Sequence, residues 1–182
     1  MRWFKDSDFI RGDVPMTKFD IRVIISSFFN TEKNRKILEI GSGTGSITCQ
    51  LAEMGFDIIS IDFLSEAVDL TKENLKKLGL KADIIKGKAP KDLPDVDLDA
   101  CFIGGSRGEL DNIFEYLDKN MKKGLLVASF IKMDNLYRAK SLMKEYSYKN
   151  IETRLVQVSY EDRLGLLKAQ NPIFIIKGDR YD

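Results

Sequence analysis

Three glycines stand within five residues at 41-GSGTG-45, between the run 38-LEI-40 and a stretch of helical character. Glycine at that density belongs where backbone approaches something closely or takes up positive φ. A dinucleotide fingerprint wants Gly or Ala at the sixth position from the first glycine, and Ser46 stands there. A P-loop ends in Gly-Lys-Ser or Gly-Lys-Thr, and no such run follows. What fits is an acidic residue, Glu39, then a hydrophobic residue, then G-x-G-x-G. About 20 residues further on, Asp62 closes the apolar run 57-DIISID-62, where a carboxylate can accept both hydroxyls of a ribose. The chemistry in view is a nucleoside-bearing ligand held by backbone and one carboxylate. Gly104-Gly105-Ser106-Arg107 adds a second pair of glycines where a reacting group can come close to backbone.

Other chemistries are excluded by what the chain lacks. Its 182 residues contain no histidine, which removes Ser-His-Asp and Cys-His catalysis and His-ligated metals. No metal site is expected. The two cysteines, Cys49 and Cys101, show no zinc or redox spacing and read as small buried residues of a reducing, cytoplasmic setting. Lys plus Arg number 29 against 28 Asp plus Glu, so charge gives no case for nucleic acid or an anionic membrane. The opening MRWFKDSDFIRGD is too polar for a signal peptide, and no apolar run reaches the roughly 18 residues of a membrane helix.

The elements that must position these residues follow from periodicity. Residues 1–16 are irregular, and Thr17 is placed to cap a helix carrying Phe19, Val23, Ile24 and Phe28. Strands are expected at 36–40, 57–62, 82–87, 98–105 and 124–131. Helices are expected at about 46–54, 65–78, 108–118 and 133–146, with Gly79 stopping the second of these. Two last strands, 150–160 and 172–178, have no long helix between them. The alternation predicts one α/β domain over 1–182. Its sheet is seven-stranded and mostly parallel, with an antiparallel hairpin at one edge. The glycine loop then falls at the carboxyl end of the first strand of the series, where such sheets bind ligands.

The pattern around Glu39 and Gly41–Gly45 resembles motif I of the Rossmann-like class I S-adenosylmethionine-dependent methyltransferases. In these the loop holds the methionine and ribose of the cofactor. Lys88-Ala89-Pro90 follows the third strand, where they often place the residue that flanks adenine. Five segments extend the resemblance over residues 9–177: 10-IRGDVPMTK-18, 38-LEIGSGTGSIT-48, 87-GKAP-90, 101-CFIGGSRGEL-110 and 170-QNPIFII-176. In that order they resemble the precorrin methyltransferases that both methylate and decarboxylate the corrin precursor of cobalamin, in their stand-alone form. The resemblance implies a fold of that class, S-adenosyl-L-methionine as cofactor, a cobalt-precorrin tetrapyrrole as substrate and a homotetramer. It implies that the irregular N-terminal segment contributes to the active site. It carries over Thr17, Gly41, Ser42, Gly43, Thr44, Gly45, Asp62 and Ala89 as cofactor contacts. Gly104 and Gly105 fall on the substrate side. Two departures stand out: Arg107, where relatives often have a further glycine, and 128-ASFIKMDN-135 after the fifth strand.

Methyl transfer from a sulfonium is an in-line displacement, in which orientation alone contributes roughly 7–11 kcal/mol. An electron-rich carbon of a reduced tetrapyrrole is its own nucleophile, and the ring can take up the electrons left by decarboxylation of an acetate arm. Cobalt would belong to the substrate. No catalytic side chain is named by the sequence. A polycarboxylate substrate calls for basic residues at the pocket mouth, and Arg11, Lys18 and Arg107 are the candidates, with Arg22 and Lys132 behind them. Two other readings share every cofactor residue: a methyltransferase of RNA or protein, and a non-catalytic module that keeps the cofactor pocket. Against the first, no Asn-Pro-Pro-Tyr-like motif follows the fourth strand and no basic extension is present.

Overall fold

The computed structural model describes residues 1–29 and 35–181. Its strands in chain order are β1 (Lys36–Ile40), β2 (Asp57–Asp62), β3 (Asp83–Lys86), β4 (Ala100–Ile103), β5 (Gly124–Phe130), β6 (Lys149–Val156), β7 (Ser159–Glu161), β8 (Leu167–Ala169) and β9 (Ile173–Arg180). Its helices are α1 (Phe19–Phe28), α2 (Ser46–Glu53), α3 (Ser65–Leu78), α4 (Leu110–Asn120) and α5 (Met133–Glu145).

Seven strands form one sheet in the order β3-β2-β1-β4-β5-β9-β6. The first five run parallel, and β9 lies antiparallel between β5 and β6. This is the mostly parallel seven-stranded sheet with an antiparallel edge hairpin that the alternation predicts. Strands buried on both faces read as unbroken apolar runs because helices cover both sides. Side-chain alternation then sorts neighbours onto opposite faces. Leu38, Ile61, Cys101 and Leu126 pack under α4 and α5, with Ile113, Phe114, Leu117 and Leu142. Ile37, Ile58, Phe102 and Val127 pack under α1 and α2, with Ile21, Ile25, Ile47 and Leu51.

The predicted strand at 150–160 is two elements. Pairing with β9 ends at Val156, and β7 pairs antiparallel with β8 in a separate two-stranded ribbon. Thr17 does not cap α1. Lys18 occupies the N-cap position with no side-chain hydrogen bond. The Thr17 carbonyl is engaged instead, accepting from Arg22 Nη1 at 2.7 Å and from Ser46 Oγ at 3.3 Å.

The N-terminal segment is irregular apart from a short 3-10 turn at Asp6–Asp8, yet it is packed. Phe4 and Phe9 are buried against Cys49 and Leu75, and Val14 against Ala67 and Leu70. Each buried Phe contributes roughly 1.5–3 kcal/mol, which holds a strand-less strap across α2 and α3. No helix among the described residues is long and apolar enough to cross a membrane.

Candidate functional site

The strand order reverses direction between β1 and β4. Loops leaving neighbouring strands there diverge to opposite faces of the sheet and open a crevice at the carboxyl ends. A cavity of about 750 Å³ occupies that position. Its volume lies within the roughly 300–1,000 Å³ usual for small-molecule sites. Floor and walls come from the ends of β1, β2, β3 and β4, and the strap supplies Val14, Pro15 and Thr17.

The glycine loop makes its turn for a reason the spacing alone does not reveal. Gly41 has φ +88°, and a Cβ built on it would lie 2.9 Å from the Gly105 backbone nitrogen. Gly43 has φ +54°, and a Cβ there would collide with the Pro15 carbonyl oxygen. The close approaches are therefore made to protein backbone, the β4 loop on one side and the strap on the other. Positive φ keeps L side chains out of both positions. At Gly105 nothing lies within 4 Å of an added Cβ, so space there opens to the cavity.

Of the residues singled out in the sequence, Thr17, Gly41, Ser42, Gly43, Asp62, Ala89, Gly104, Gly105 and Arg107 line this one cavity. Thr44 and Gly45 lie outside the lining. Thr44 turns its carbonyl to Asn74, and Gly45 caps α2 at positive φ, where an added Cβ would lie 2.7 Å from Thr71 Cγ2. Arg11 and Lys18 also lie outside it. Arg11 is exposed, and Lys18 stands at the N-cap of α1 without a side-chain cap hydrogen bond. Arg22 is no clamp at the mouth: its side chain is wholly buried. It donates to the Phe4 carbonyl at 2.7 Å and to Asp6 Oδ1 at 3.0 Å, and faces the Phe9 ring. Lys132 caps α5 and is exposed, away from the cavity.

Asp62 is buried at the end of β2, and both its oxygens accept backbone hydrogen bonds. Gly43 N–H donates to Oδ2 at 3.1 Å and Leu64 N–H to Oδ1 at 3.0 Å. An ionised carboxylate retains further lone pairs for a ligand's hydroxyls. Ser42 Oγ is buried at the cavity wall with no partner. An orphaned buried hydroxyl costs on the order of 1–3 kcal/mol, so it is ready for a polar ligand atom. Phe63, Leu64, Ala89 and Pro90 form an apolar cleft beside it. A ribose-bearing, partly apolar ligand fits this donor and acceptor set.

Glu39 lies outside the cavity. It is buried between the sheet and α2, accepting from Ser60 Oγ at 2.9 Å and from Thr48 Oγ1. Burial pushes its carboxyl up to about 8, and the Asp62 charge adds to this, while the two hydroxyl donors oppose it. Burial likewise raises both thiols, Cys49 to about 12, so neither is a nucleophile at neutral pH.

The mouth carries three cations, Lys88, Lys91 and Arg107, and the Glu109 carboxylate. The Arg107 guanidinium lies over the Phe63 ring, 3.4 Å from its centroid. Asn112 Nδ2 donates to Glu109 Oε2 at 2.6 Å, which orients that carboxylate at the start of α4. Phe63, Leu64, Lys91, Glu109 and Asn112 were not legible as site residues. Their signal was position alone: Phe63 and Leu64 directly after Asp62, Lys91 directly after 87-GKAP-90, and Glu109 and Asn112 at the end of 104-GGSRGE-109 and in the first turn of α4.

A family model described as a precorrin methyltransferase domain matches residues 8–177. A probable cobalt-precorrin-6B C(15)-methyltransferase (decarboxylating) of Methanocaldococcus jannaschii is 33% identical over 180 residues, covering 96% of this chain and 97% of the relative. One of the same description from Sulfurisphaera tokodaii is 36% identical, covering 96% of each. Among solved structures, a precorrin-8w decarboxylase from Methanobacterium thermoautotrophicum superposes with a TM-score of 0.85 at 26% identity, covering 96% of this chain and 98% of that one. The tRNA (m1A58) methyltransferase of Aquifex aeolicus shares the fold at a TM-score of 0.78 but only 14% identity.

Proposed function

Because the chain belongs to the precorrin methyltransferase family, we propose that it methylates carbon 15 of a cobalt-precorrin from S-adenosyl-L-methionine and decarboxylates the acetate on carbon 12, in cobalamin biosynthesis. The observation that carries this reading is the pairing of a full-length family match with a cavity at the sheet's switch point that joins Ser42, Asp62 and the open Gly105.

The residues present fit the cofactor. The Asp62 carboxylate would accept from the ribose hydroxyls, Ser42 Oγ would gain a polar partner, and Phe63, Leu64, Ala89 and Pro90 would flank the adenine. Bound S-adenosylmethionine supplies an electrophilic methyl group. Gly105 leaves room beside the glycine loop, so the macrocycle can approach the methyl along backbone at that point. Lys88, Lys91 and Arg107 set positive charge where the substrate's carboxylates enter. The protein's part is orientation and charge, and the conjugated ring takes the electron pair released with carbon dioxide.

The chain acts as a homotetramer in the cytoplasm. Support for assembly comes from apolar side chains left in solvent on and beside the β7–β8 ribbon: Leu164 is 83% exposed and Leu167 73%. Light scattering on the purified protein measures the state directly. The catalytic reading is tested by anaerobic incubation with the cobalt-precorrin and methyl-labelled cofactor, followed by mass spectrometry. Gain of one methyl with loss of carbon dioxide is the expected product. Methyl gain with the carboxylate retained removes the decarboxylase half. Transfer to RNA, or to no corrin precursor, removes the substrate assignment.

A further inference from the structure

The strap that roofs the cavity and the glycine loop that floors it belong to different parts of the chain, and one side chain joins them. Asn74 lies on α3 and is fully buried. Its Oδ1 accepts from Ile10 N–H at 2.7 Å. Its Nδ2 donates to the Ile10 carbonyl at 3.0 Å and to the Thr44 carbonyl at 2.9 Å. Both ends of the amide are thus engaged, two bonds to the strap and one to the loop. Nearby, Thr44 N–H donates to the Pro15 carbonyl at 3.3 Å, which closes the strap onto the loop where Ser42, Gly43, Pro15 and Thr17 line the cavity. A buried carboxamide satisfied this fully is geometrically specific, since each lost partner leaves a polar group stranded.

We propose that Asn74 is a positioning residue for cofactor binding: it ties the strap at Ile10 to the glycine loop at Thr44, so that Pro15, Thr17, Ser42 and Gly43 form a preshaped pocket. The assignment rests on the S-adenosylmethionine reading of that pocket. Preorganisation lowers the ordering cost of binding and not the chemical step. The effect therefore falls on cofactor affinity, with little on turnover once cofactor saturates.

Two variants test it. Asn74→Ala removes all three bonds. Ile10→Pro removes the amide that donates to Asn74 Oδ1 and keeps the Ile10 carbonyl for Asn74 Nδ2, at an exposed strap residue outside the core, so it tests the link even where Asn74→Ala folds poorly. Leu142→Ala, on the core face of α5 and outside the cluster that holds the strap, serves as a control for general destabilisation. Hydrogen exchange on cofactor-free protein should rise at 10–16 and 41–45 in both test variants and not in Leu142→Ala. The cofactor KM and Kd should rise about tenfold in Asn74→Ala, the scale of one or two lost net hydrogen bonds, with kcat within about twofold of wild type. Unchanged exchange in the strap overturns the clamp whatever the ligand. Raised exchange with unchanged cofactor affinity, or an equal affinity loss in Leu142→Ala, overturns its role in positioning. Failure of the cofactor reading itself shows separately, as wild-type protein that binds no S-adenosylmethionine.

Discussion

The Gly43 amide donates to Asp62 Oδ2 at 3.1 Å, so the carboxylate that closes β2 also sets the conformation of the loop that follows β1. Asp62 therefore has two duties, one toward the loop and one toward the ligand. Asp62→Asn keeps an acceptor for one backbone N–H and removes the charge. It should weaken S-adenosylmethionine at least tenfold, since bonds to charged groups are worth roughly 1.5–3 kcal/mol each, and should lower the unfolding midpoint less than Asp62→Ala does. Asp62→Ala strands both the Gly43 and Leu64 donors and should lower affinity and stability together. Calorimetric titration beside denaturant unfolding separates the two duties. An affinity change below twofold in the folded Asn variant reduces Asp62 to a structural strand end.

Gly43 makes a different prediction from the one its spacing suggests. The obstacle to a side chain there is the Pro15 carbonyl, not a ligand. Gly43→Ala should push the strap away and forfeit the Thr44–Pro15 hydrogen bond. The variant should gain protease sensitivity after Lys5 and Arg11 and lose cofactor affinity in the same step. A variant that loses affinity with its strap as protected as wild type would return the close approach to the ligand.

These two residues show how far the sequence could be read. The near-unbroken apolar runs of β1, β2, β4 and β5 are dictated by burial on both faces, and the loop after β1 must then stand at the switch point; both were legible. Asp62 was legible for the same reason, as the polar residue ending a buried strand. The strap was not, because it has no period: Phe4, Phe9 and Val14 are held by pockets on α2 and α3 that exist only in the fold. Arg22 stood among the weaker candidates for the pocket mouth, and its burial depends on carbonyls at Phe4 and Thr17 that no spacing rule brings together. Asn74 did leave a trace. With Thr71 it puts polar groups on the stripe of α3 that also carries Ala67, Leu70 and Leu75, a break in an apolar face at helical spacing.

Glu39 predicts a pH dependence of stability. Unfolded, its carboxyl ionises near 4.5, whereas in the fold it holds its proton to about 8. The folded state binds the extra proton, so stability is greatest below the lower value. It falls as pH rises from about 4.5 to about 8 and is then level for this group. The loss is on the order of a few kcal/mol, at about 1.4 kcal/mol per pH unit of difference. Glu39→Gln keeps a carbonyl for the Thr48 and Ser60 donors and cannot ionise. Guanidinium unfolding from pH 4.5 to 8 should show a shallower slope in Glu39→Gln and a higher midpoint at the alkaline end. Parallel curves for the two proteins would refute the assignment.

Arg107 and Arg11 make a matched pair for the substrate. Both flank segments that the sequence placed at the cofactor face, but only Arg107 reaches the cavity mouth, where its guanidinium rests on Phe63. A stacked guanidinium keeps its edge N–H groups free to meet a carboxylate in the ring plane. Arg107→Glu turns that attraction into repulsion at the point where a polycarboxylate macrocycle must enter. The tetrapyrrole KM should rise at least tenfold, the scale of one lost charge-assisted bond. Affinity for S-adenosylmethionine should stay within about twofold, because the Asp62 and Ser42 contacts are untouched. Arg11→Glu makes the same charge change at an exposed strap residue outside the cavity lining and should leave both constants near wild type. Equal effects from the two reversals would mean that the substrate senses only the overall field of the face. A change in cofactor affinity without one in tetrapyrrole KM would instead place Arg107 with the adenine cleft, through its contact with Phe63.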